Sequence, residues 1–373
     1  MSKTNKILLW GIGAILVIVA VAVMTKISSN PPPSQKQTIK IGVTLPLTGG
    51  VAMLGQSAKN AILLAESRLS RNNKYDYELV FEDDQFKPAT GASVANKLIN
   101  IDKVDALISF GSPVGSVVSP IAERSKILHI NDFASASQVA DGDYNFVHYT
   151  PPYEDSKLFI EQLEKRGIKK LVFFGQQDNP GVTAIINAFE ADIKETDIEV
   201  VSSNMFNTGT RDFRTMIDKS RDLGADMWVL EANTPELEIL ARQIQQSGIK
   251  TPLTTMEAFE FSDELSLFDG MWYVNGADSE QWFIDLYTKA YSEGPKFGAA
   301  NAYDVLNLIV RAVESAGNGD VNPTRTEIRD VLARIPSFDG ALGKDLKIDA
   351  YGVVVSRAVV RMIKDGRAVT IEP

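Results

Sequence analysis

Short apolar runs alternate with amphipathic, helix-spaced segments along most of the chain from Thr38 onward. The first run, IKIGVTLPL, is rich in β-branched residues and ends in turn residues, and Gln56 to Leu69 then repeats apolar residues at helical spacing. The alternation continues through YELVFED, GASVANKLIN, VDALISF, SPVGSVVSPIAERS and ILHIND. This pattern predicts three or four β-α units, with parallel strands and helices on both faces of the sheet.

The alternation starts again after a turn-rich stretch, DGDYNFVHYTPPYED. A second β-α series follows in KKLVFFG, GVTAIINAFEADIKE, IEVVSSN, DFRTMIDKSRDLG, DMWVLEA and PELEILARQIQQSG. Three predicted helices and two late strands, KDLKID and VVVSRAVVRMIKDG, cannot form a further α/β domain, so they are expected to complete the lobes already begun. The prediction is an α/β fold of two doubly wound, Rossmann-like lobes with a ligand cleft at the carboxyl ends of their strands.

The N-terminus has a different pattern from the rest of the chain. Lys3 and Lys6 precede ILLWGIGAILVIVAVAVM, an uncharged run of about 18 residues, the minimum length for a membrane-spanning helix. Residues 1–25 are therefore expected to be either an uncleaved signal anchor or a signal peptide cleaved near AVA, with the remainder exported. Residues 26–38, which include SSNPPPSQKQ, predict a stiff Pro-rich linker.

Composition narrows the classes of function. The net charge of −10 and the absence of a basic stripe argue against a nucleic-acid partner. Because the chain has no cysteine, it has no disulfide, cysteine nucleophile or thiolate zinc site. The two histidines, His129 and His148, leave little room for a histidine-rich metal site or a histidine-based triad. No metal or cofactor is expected.

One carboxylate occupies an unexpected position. The run Pro252 to Met256 predicts a buried strand that ends on Glu257, and Ala258 and Phe259 follow directly. A buried carboxylate without a partner costs several kcal/mol or more, so Glu257 must either face water or meet a cation. Since Glu257 ends a predicted strand, we expect that cation to come from the cleft.

Several motifs, in order, resemble one known family. They are IKIGVTLPLTGGVAMLGQSAKNA, FEDDQFKPATGASVANKLI, SPIAERSKI, GTRDFRTMI, PELEILARQIQQSGIKTP, AYDVLNLIVRAVESAG and FDGALGKDLKIDAYG. The chain from about Ile39 to Val369 thus resembles the type I periplasmic binding proteins of the leucine/isoleucine/valine-binding kind, the solute receptors of ABC transporters. The resemblance implies two lobes that close on ligand by a hinge, with three crossovers near Thr150, Asn275 and Ala350. Lobe 1 would comprise 39–150 and 276–350, and lobe 2 would comprise 151–275 and 351–373.

The resemblance also implies how an amino acid would be held. Its carboxylate would meet a serine hydroxyl and backbone amides after the third strand, supplied by either Ser112 or Ser116, and the pair Ala134 and Ser135 after the fourth strand. Its ammonium would meet Glu257, in a charge-assisted hydrogen bond. Ser112 before Pro113 is also typical of a helix start, where amides and the helix dipole attract an anion.

The side-chain pocket departs from the family. Leu54 replaces an aromatic ligand contact in the first loop, Pro180 replaces a tyrosine, and Ala232 and Asn233 replace another aromatic segment. We therefore expect an extracytoplasmic receptor for a small zwitterion, an amino acid of the branched-chain or a related type, that works with the transmembrane permease subunits of an ABC transporter. The alternatives are a membrane-tethered sensor of the same fold that signals to a partner, and a receptor for an amide or a small carboxylate.

Enzyme functions find little support in the sequence. GSPVGS lacks the G-x-S-x-G elbow of serine hydrolases, and no P-loop is present. No helix-turn-helix precedes the lobes, which argues against a repressor of this fold. The expected mechanism is binding followed by closure, without catalysis.

Overall fold

The computed structural model describes residues 36–372. The predicted signal segment, residues 1–25, and all but the last three residues of the predicted linker lie outside this range. Within the described range, no helix combines the length and the apolar character that crossing a membrane requires.

Strands and helices alternate through most of the described chain, as the apolar pattern predicts. The strands are β1 (Thr38–Leu45), β2 (Asp76–Asp83), β3 (Ala106–Phe110), β4 (Leu128–Asp132), β5 (Asn145–His148), β6 (Lys170–Gln176), β7 (Glu199–Phe206), β8 (Met227–Glu231), β9 (Leu253–Thr254), β10 (Trp272–Gly276), β11 (Lys347–Ile348), β12 (Val353–Val355), β13 (Ala358–Lys364) and β14 (Arg367–Glu372). The α-helices are α1 (Ala52–Ser67), α2 (Pro88–Lys97), α3 (Ser112–Arg124), α4 (Pro152–Lys165), α5 (Pro180–Asp192), α6 (Arg214–Ser220), α7 (Glu236–Gln246), α8 (Gln281–Tyr291), α9 (Ala299–Ala316) and α10 (Arg325–Leu332).

The first β-α series forms a seven-stranded sheet in the order β11-β12-β5-β4-β3-β1-β2. All neighbouring strands in it are parallel except β11 and β12. The second series forms a parallel four-stranded sheet in the order β7-β6-β8-β9. These two sheets confirm the predicted α/β class, since parallel strands joined by helices are what the alternation requires.

A third sheet is not evident in the apolar pattern. It is antiparallel and three-stranded, in the order β10-β13-β14, and the dipeptide Asp365-Gly366 makes the tight turn between β13 and β14. The predicted single strand VVVSRAVVRMIKDG divides at Ser356 and Arg357 into β12, which pairs with β5, and β13, which belongs to the third sheet. Periodicity does not show this division because both halves are apolar.

The chain passes between the sheets at places that lie together. One passage follows β5, and another lies between β12 and β13, where the hydroxyls of Thr150 and Ser356 are 2.7 Å apart in a hydrogen bond. Beside them, Arg361 of β13 pairs with Glu260 at 3.1 Å and with Asp278 at 2.7 Å. The division of the chain into lobes at 150, 276 and 351 stays a prediction.

The largest apolar core lies on the seven-stranded sheet and includes the buried side chain of Leu54 from α1. Helix α1 packs unusually close to the segment that follows β1. A Cβ atom on Gly55 would lie 2.2 Å from the carbonyl oxygen of Pro46, so this approach requires glycine. The close packing places the predicted loop after β1 at the carboxyl edge of the sheet.

Candidate ligand-binding site

Ser135 and Glu257 join the carboxyl edges of the two parallel sheets. Ser135 follows β4, Glu257 follows β9, and the serine hydroxyl donates a 3.0 Å hydrogen bond to Oε2 of Glu257. Both residues are buried, with Glu257 only 1% exposed. The sequence question about Glu257 thus has a structural answer: its carboxylate faces the protein interior and not water.

The backbone holds Glu257 in a conformation that few non-glycine residues adopt. Its φ is +99°, and its amide donates a 2.8 Å hydrogen bond to the carbonyl of Val274. Met256 makes a parallel bridge with Val274, which fixes the strand end from which Glu257 projects. Such an outlier is often found at a functional site because the surrounding structure must hold it in place.

Two further carboxyls lie close to Glu257, and we call Asp155, Glu231 and Glu257 the acid cluster. Asp155 lies in the first turn of α4, Glu231 ends β8, and all three side chains are at most 1% exposed. Glu231 accepts hydrogen bonds from the Thr255 hydroxyl and the Met256 amide. Oε1 of Glu257 and both carboxylate oxygens of Asp155 have no hydrogen-bond partner among the described residues.

Burial shifts the protonation of this cluster toward the neutral form. It raises the pKa of Glu257 to about 7, although interactions with Asp155, Ser135 and Tyr149 limit the rise. Burial first, and then the charge of Glu257, raise the pKa of Asp155 well above its usual range. Burial likewise raises the pKa of Glu231. The cluster therefore gains stability from any positive charge that enters it.

The protein itself does not supply that charge within residues 36–372. No ion pair to Glu257, Asp155 or Glu231 is present in this range. The buried cation Arg361 lies nearby, but its guanidinium is committed to Glu260 and Asp278. The arrangement has the chemistry of a site for a ligand's ammonium group.

The other predicted ligand contacts fall into two groups. Ser112, Ala134 and Ser135 come together with Glu257, since the Ser112 hydroxyl accepts a 3.1 Å hydrogen bond from the amide of Ala136. Ser116 and Leu54 are less well placed to meet a ligand. The Ser116 hydroxyl donates to the carbonyl of Ser112 in its own helix at 2.8 Å, and Leu54 is packed in the core.

Two helix starts approach each other at the site. Ser112 opens α3, and a Cβ atom on Gly181, in the first turn of α5, would lie 2.8 Å from the Ser112 hydroxyl. Gly181 is therefore needed for this approach between a helix of the first series and a helix of the second. Helix N-termini attract anions through free amides and the helix dipole, which suits the carboxylate end of an amino acid.

An aromatic cluster borders the acid cluster. Phe133, whose φ is +83°, stacks on Phe110 at 4.9 Å and contacts Tyr149 at 4.8 Å between ring centroids. Phe261 and Phe297 meet the Phe133 ring edge-on, at 5.6 and 4.9 Å. Burial first, and then the charge of Glu257, raise the pKa of the Tyr149 hydroxyl, which has no hydrogen-bond partner among the described residues. These rings come from segments other than the three altered aromatic positions.

A large cavity opens beside the site. Its volume is about 860 Å³, and its wall includes Ala134 and Ser135 together with Pro151, Pro152 and residues of α5. Glu257 does not line it, so the cavity adjoins the acid cluster through Ser135. Cavities of several hundred cubic ångströms are typical of small-molecule sites.

Sequence reasoning missed Asp155, Tyr149 and Glu231. An acidic residue in the first turn of a helix is normally explained by the helix dipole, so Asp155 carries no distinctive signal in PPYED. Tyr149 lies in a turn-rich stretch that shows no periodic pattern. The one available signal was Glu231, which ends an apolar strand as Glu257 does.

Parallel sheets whose carboxyl ends meet at a buried, chargeable site define a small-molecule binding protein of the doubly wound class. Residues 38–368 match the family model described as periplasmic binding protein, and the chain belongs to that family. The family resemblance seen in the sequence is thereby confirmed.

Relatives and solved structures agree on the fold. The chain is 24% identical over 340 residues to the leucine-, isoleucine-, valine-, threonine- and alanine-binding protein of Pseudomonas aeruginosa, covering 84% of this chain and 87% of that one. A leucine-binding protein from Thermotoga maritima superposes with a TM-score of 0.80 at 22% identity, covering 89% of this chain and 97% of that one. An ABC-transporter solute-binding protein from R. palustris, in complex with benzoate, gives 0.79 at 21% identity, covering 90% and 96%.

Proposed function

We propose that this protein is the solute receptor of an ABC transporter and that it binds an α-amino acid or a related small zwitterion between its parallel sheets. One observation carries the proposal. The carboxyls of Glu257 and Asp155 are buried side by side, with oxygens that lack partners and no cation paired to them among residues 36–372. A ligand's ammonium group would supply both the hydrogen-bond donors and the charge.

Each end of the ligand has its own partners in this proposal. The ammonium lies between Glu257 and Asp155, and Ser135 orients the Glu257 carboxylate through its hydrogen bond. The carboxylate lies at the start of α3, against Ser112 and the backbone near Ala134. Of the two serines that the sequence left open, Ser112 is favoured because the Ser116 hydroxyl is bonded to its own helix. Leu54 contributes to the packing behind the site.

The charge of the site favours a zwitterion over a simple acid. Benzoate, the ligand of the R. palustris neighbour, carries a carboxylate and no ammonium. Placed beside the acid cluster, such an anion would face buried like charges, which is unfavourable at low effective dielectric. An amino acid offers the opposite charge at this end.

The cellular setting follows from the family. Membership supports an extracytoplasmic location and a partner in the permease subunits of the transporter, to which closure around the ligand would present a surface from both lobes. The signal anchor or signal peptide predicted over residues 1–25 would deliver the chain there. A tethered sensor of the same fold is distinguished from a transport receptor by its partner.

A thermal-shift screen of residues 37–373 tests the proposal directly. The panel contains amino acids, their amides, short peptides, and aliphatic and aromatic carboxylic acids. A ligand at roughly a hundredfold excess over its dissociation constant raises stability by about 2.7 kcal/mol, which is readily seen. Shifts confined to α-amino acids would support the proposal and identify the side chain. Shifts by acids that lack an ammonium, and none by amino acids, would refute it.

A further inference from the structure

We propose that Asp155 and Glu257 act as one acid pair, which shares a single proton in the empty receptor and releases it to solvent when the ammonium of the ligand enters. This inference rests on the proposed function, because it concerns the same site. It adds that ligand binding is linked to pH and that Asp155 is responsible for the linkage together with Glu257.

The geometry requires a shared proton. Asp155 is fully buried and Glu257 is 1% exposed, so water cannot solvate two negative charges at this point. The two carboxyls lie within reach of each other, and three of their four oxygens accept no hydrogen bond from a donor group within residues 36–372. Two adjacent buried carboxyls without a cation cannot both be ionised, so one proton serves the pair.

The groups that face the pair supply no positive charge that would allow both carboxyls to ionise. Tyr149, in the segment after β5, and Glu231, at the end of β8, are neutral or acidic, and Glu154 on the same helix as Asp155 adds a further negative charge. Ser135, after β4, contributes one hydrogen bond. Glu260, whose charge also acts on Tyr149, is paired with Arg361. Burial accordingly raises the pKa of Asp155 and of Glu257.

An entering ammonium replaces the proton with a fixed positive charge. The ammonium stays protonated, both carboxyls become carboxylates, and one proton passes to solvent for each ligand bound. Linkage then requires the association constant to rise up to tenfold per pH unit while the empty pair still holds its proton, and to level off at higher pH. A ligand without an ammonium would release no proton.

A ligand-free experiment tests the shared proton alone. The native pair keeps its proton at pH values where the unfolded carboxyls have lost theirs, so the native state binds more protons and the free energy of unfolding falls as pH rises toward about 7. We would measure this dependence by urea unfolding of the purified full-length chain. Asp155→Asn should make this fall shallower, whereas Glu161→Gln, at an exposed position of the same helix, should not. Glu257→Gln should make it shallower as well and serves if Asp155→Asn fails to fold. An unchanged slope in the variants of the pair would overturn the proposal.

A second experiment tests the release. An α-amino acid that binds in the screen is titrated calorimetrically at about pH 6, in two buffers of different ionisation enthalpy. If about one proton is released, the binding enthalpies in the two buffers should differ by the difference between the buffers' ionisation enthalpies, and this difference should disappear in Asp155→Asn. Equal heats with binding retained would overturn the shared proton and leave the proposed function standing. If no amino acid binds, the proposed function fails, and the ligand-free slopes still decide whether the pair shares a proton.

Discussion

The Ser135 hydroxyl donates a 3.0 Å hydrogen bond to Oε2 of Glu257 across 122 residues of chain. Ser135 follows a strand of the seven-stranded sheet, and Glu257 follows a strand of the four-stranded sheet. This bond therefore connects the carboxyl ends of the two sheets at the site itself. A ligand bound to Glu257, as we propose, would act at the contact between the two sheets, so recognition and closure would share the same side chains.

Glu257→Gln should weaken binding of an α-amino acid by about 1.5–3 kcal/mol, the scale of a hydrogen bond to a charged group. The substitution keeps the size of the side chain and removes the charge that meets the ammonium. Isothermal titration of the wild type and the variant measures the difference. Glu264→Gln is a suitable control because Glu264 pairs with Arg242 at an exposed position. Equal affinity in Glu257→Gln would remove this residue from the site.

Alanine substitutions of three serines in α3 should distinguish a side chain that contacts ligand from side chains that only stabilise the fold. Ser112→Ala should lower affinity by about 0.5–1.5 kcal/mol, whereas Ser116→Ala should leave affinity unchanged because its hydroxyl bonds only to its own helix. Ser119→Ala is the matched control for stability, since this buried hydroxyl bonds to the carbonyls of Gly115 and Val139. Titration calorimetry measures affinity, and urea unfolding measures stability. A loss of affinity in Ser116→Ala alone would reverse the assignment.

The sequence predicted those parts of the fold that depend on local pattern. Alternating apolar and helical segments were sufficient for the two parallel sheets, and a strand that ends on a carboxylate was sufficient to single out Glu257. The third sheet was not predictable in this way, because β10 is distant in sequence from β13 and β14, and the central strand β13 directly follows a strand of another sheet. Pairing between distant strands leaves no periodic signal.

The candidate site was predictable only in part, because some of its residues are distinguished by tertiary packing and not by local sequence. Asp155 becomes notable through burial beside Glu257, and burial of a residue in the first turn of a helix depends on what packs against that helix. Phe133 presents the same difficulty, since its φ of +83° is imposed by tertiary contacts and not by local preference. The sequence supplied one member of the acid pair, and only the packing supplied the other.

The buried ion pair beside the passages between sheets should matter for stability. Arg361→Ala should lower the free energy of unfolding by about 3–5 kcal/mol, because it removes a buried guanidinium and leaves the carboxylate of Glu260, whose side chain is only 11% exposed, without its cationic partner. Denaturation in urea measures the change. Arg214→Ala removes an exposed arginine paired with Asp212 and should have no measurable effect. Similar losses in both variants would mean that burial of the Arg361 pair is not what stabilises this region.

Gly55→Ala should lower the free energy of unfolding by about 1–3 kcal/mol, the usual cost of overpacking a well-packed contact. The added methyl would lie 2.2 Å from the Pro46 carbonyl oxygen, so either α1 or the segment after β1 must move. Gly294→Ala is the matched control, because a Cβ atom there meets nothing within 4 Å. The alanine should be neutral or slightly stabilising at that position, since it restricts the unfolded chain. Urea midpoints of the two variants decide the question. If Gly55→Ala is as stable as Gly294→Ala, the contact between α1 and Pro46 is looser than the structure shows, and α1 does not fix the loop after β1.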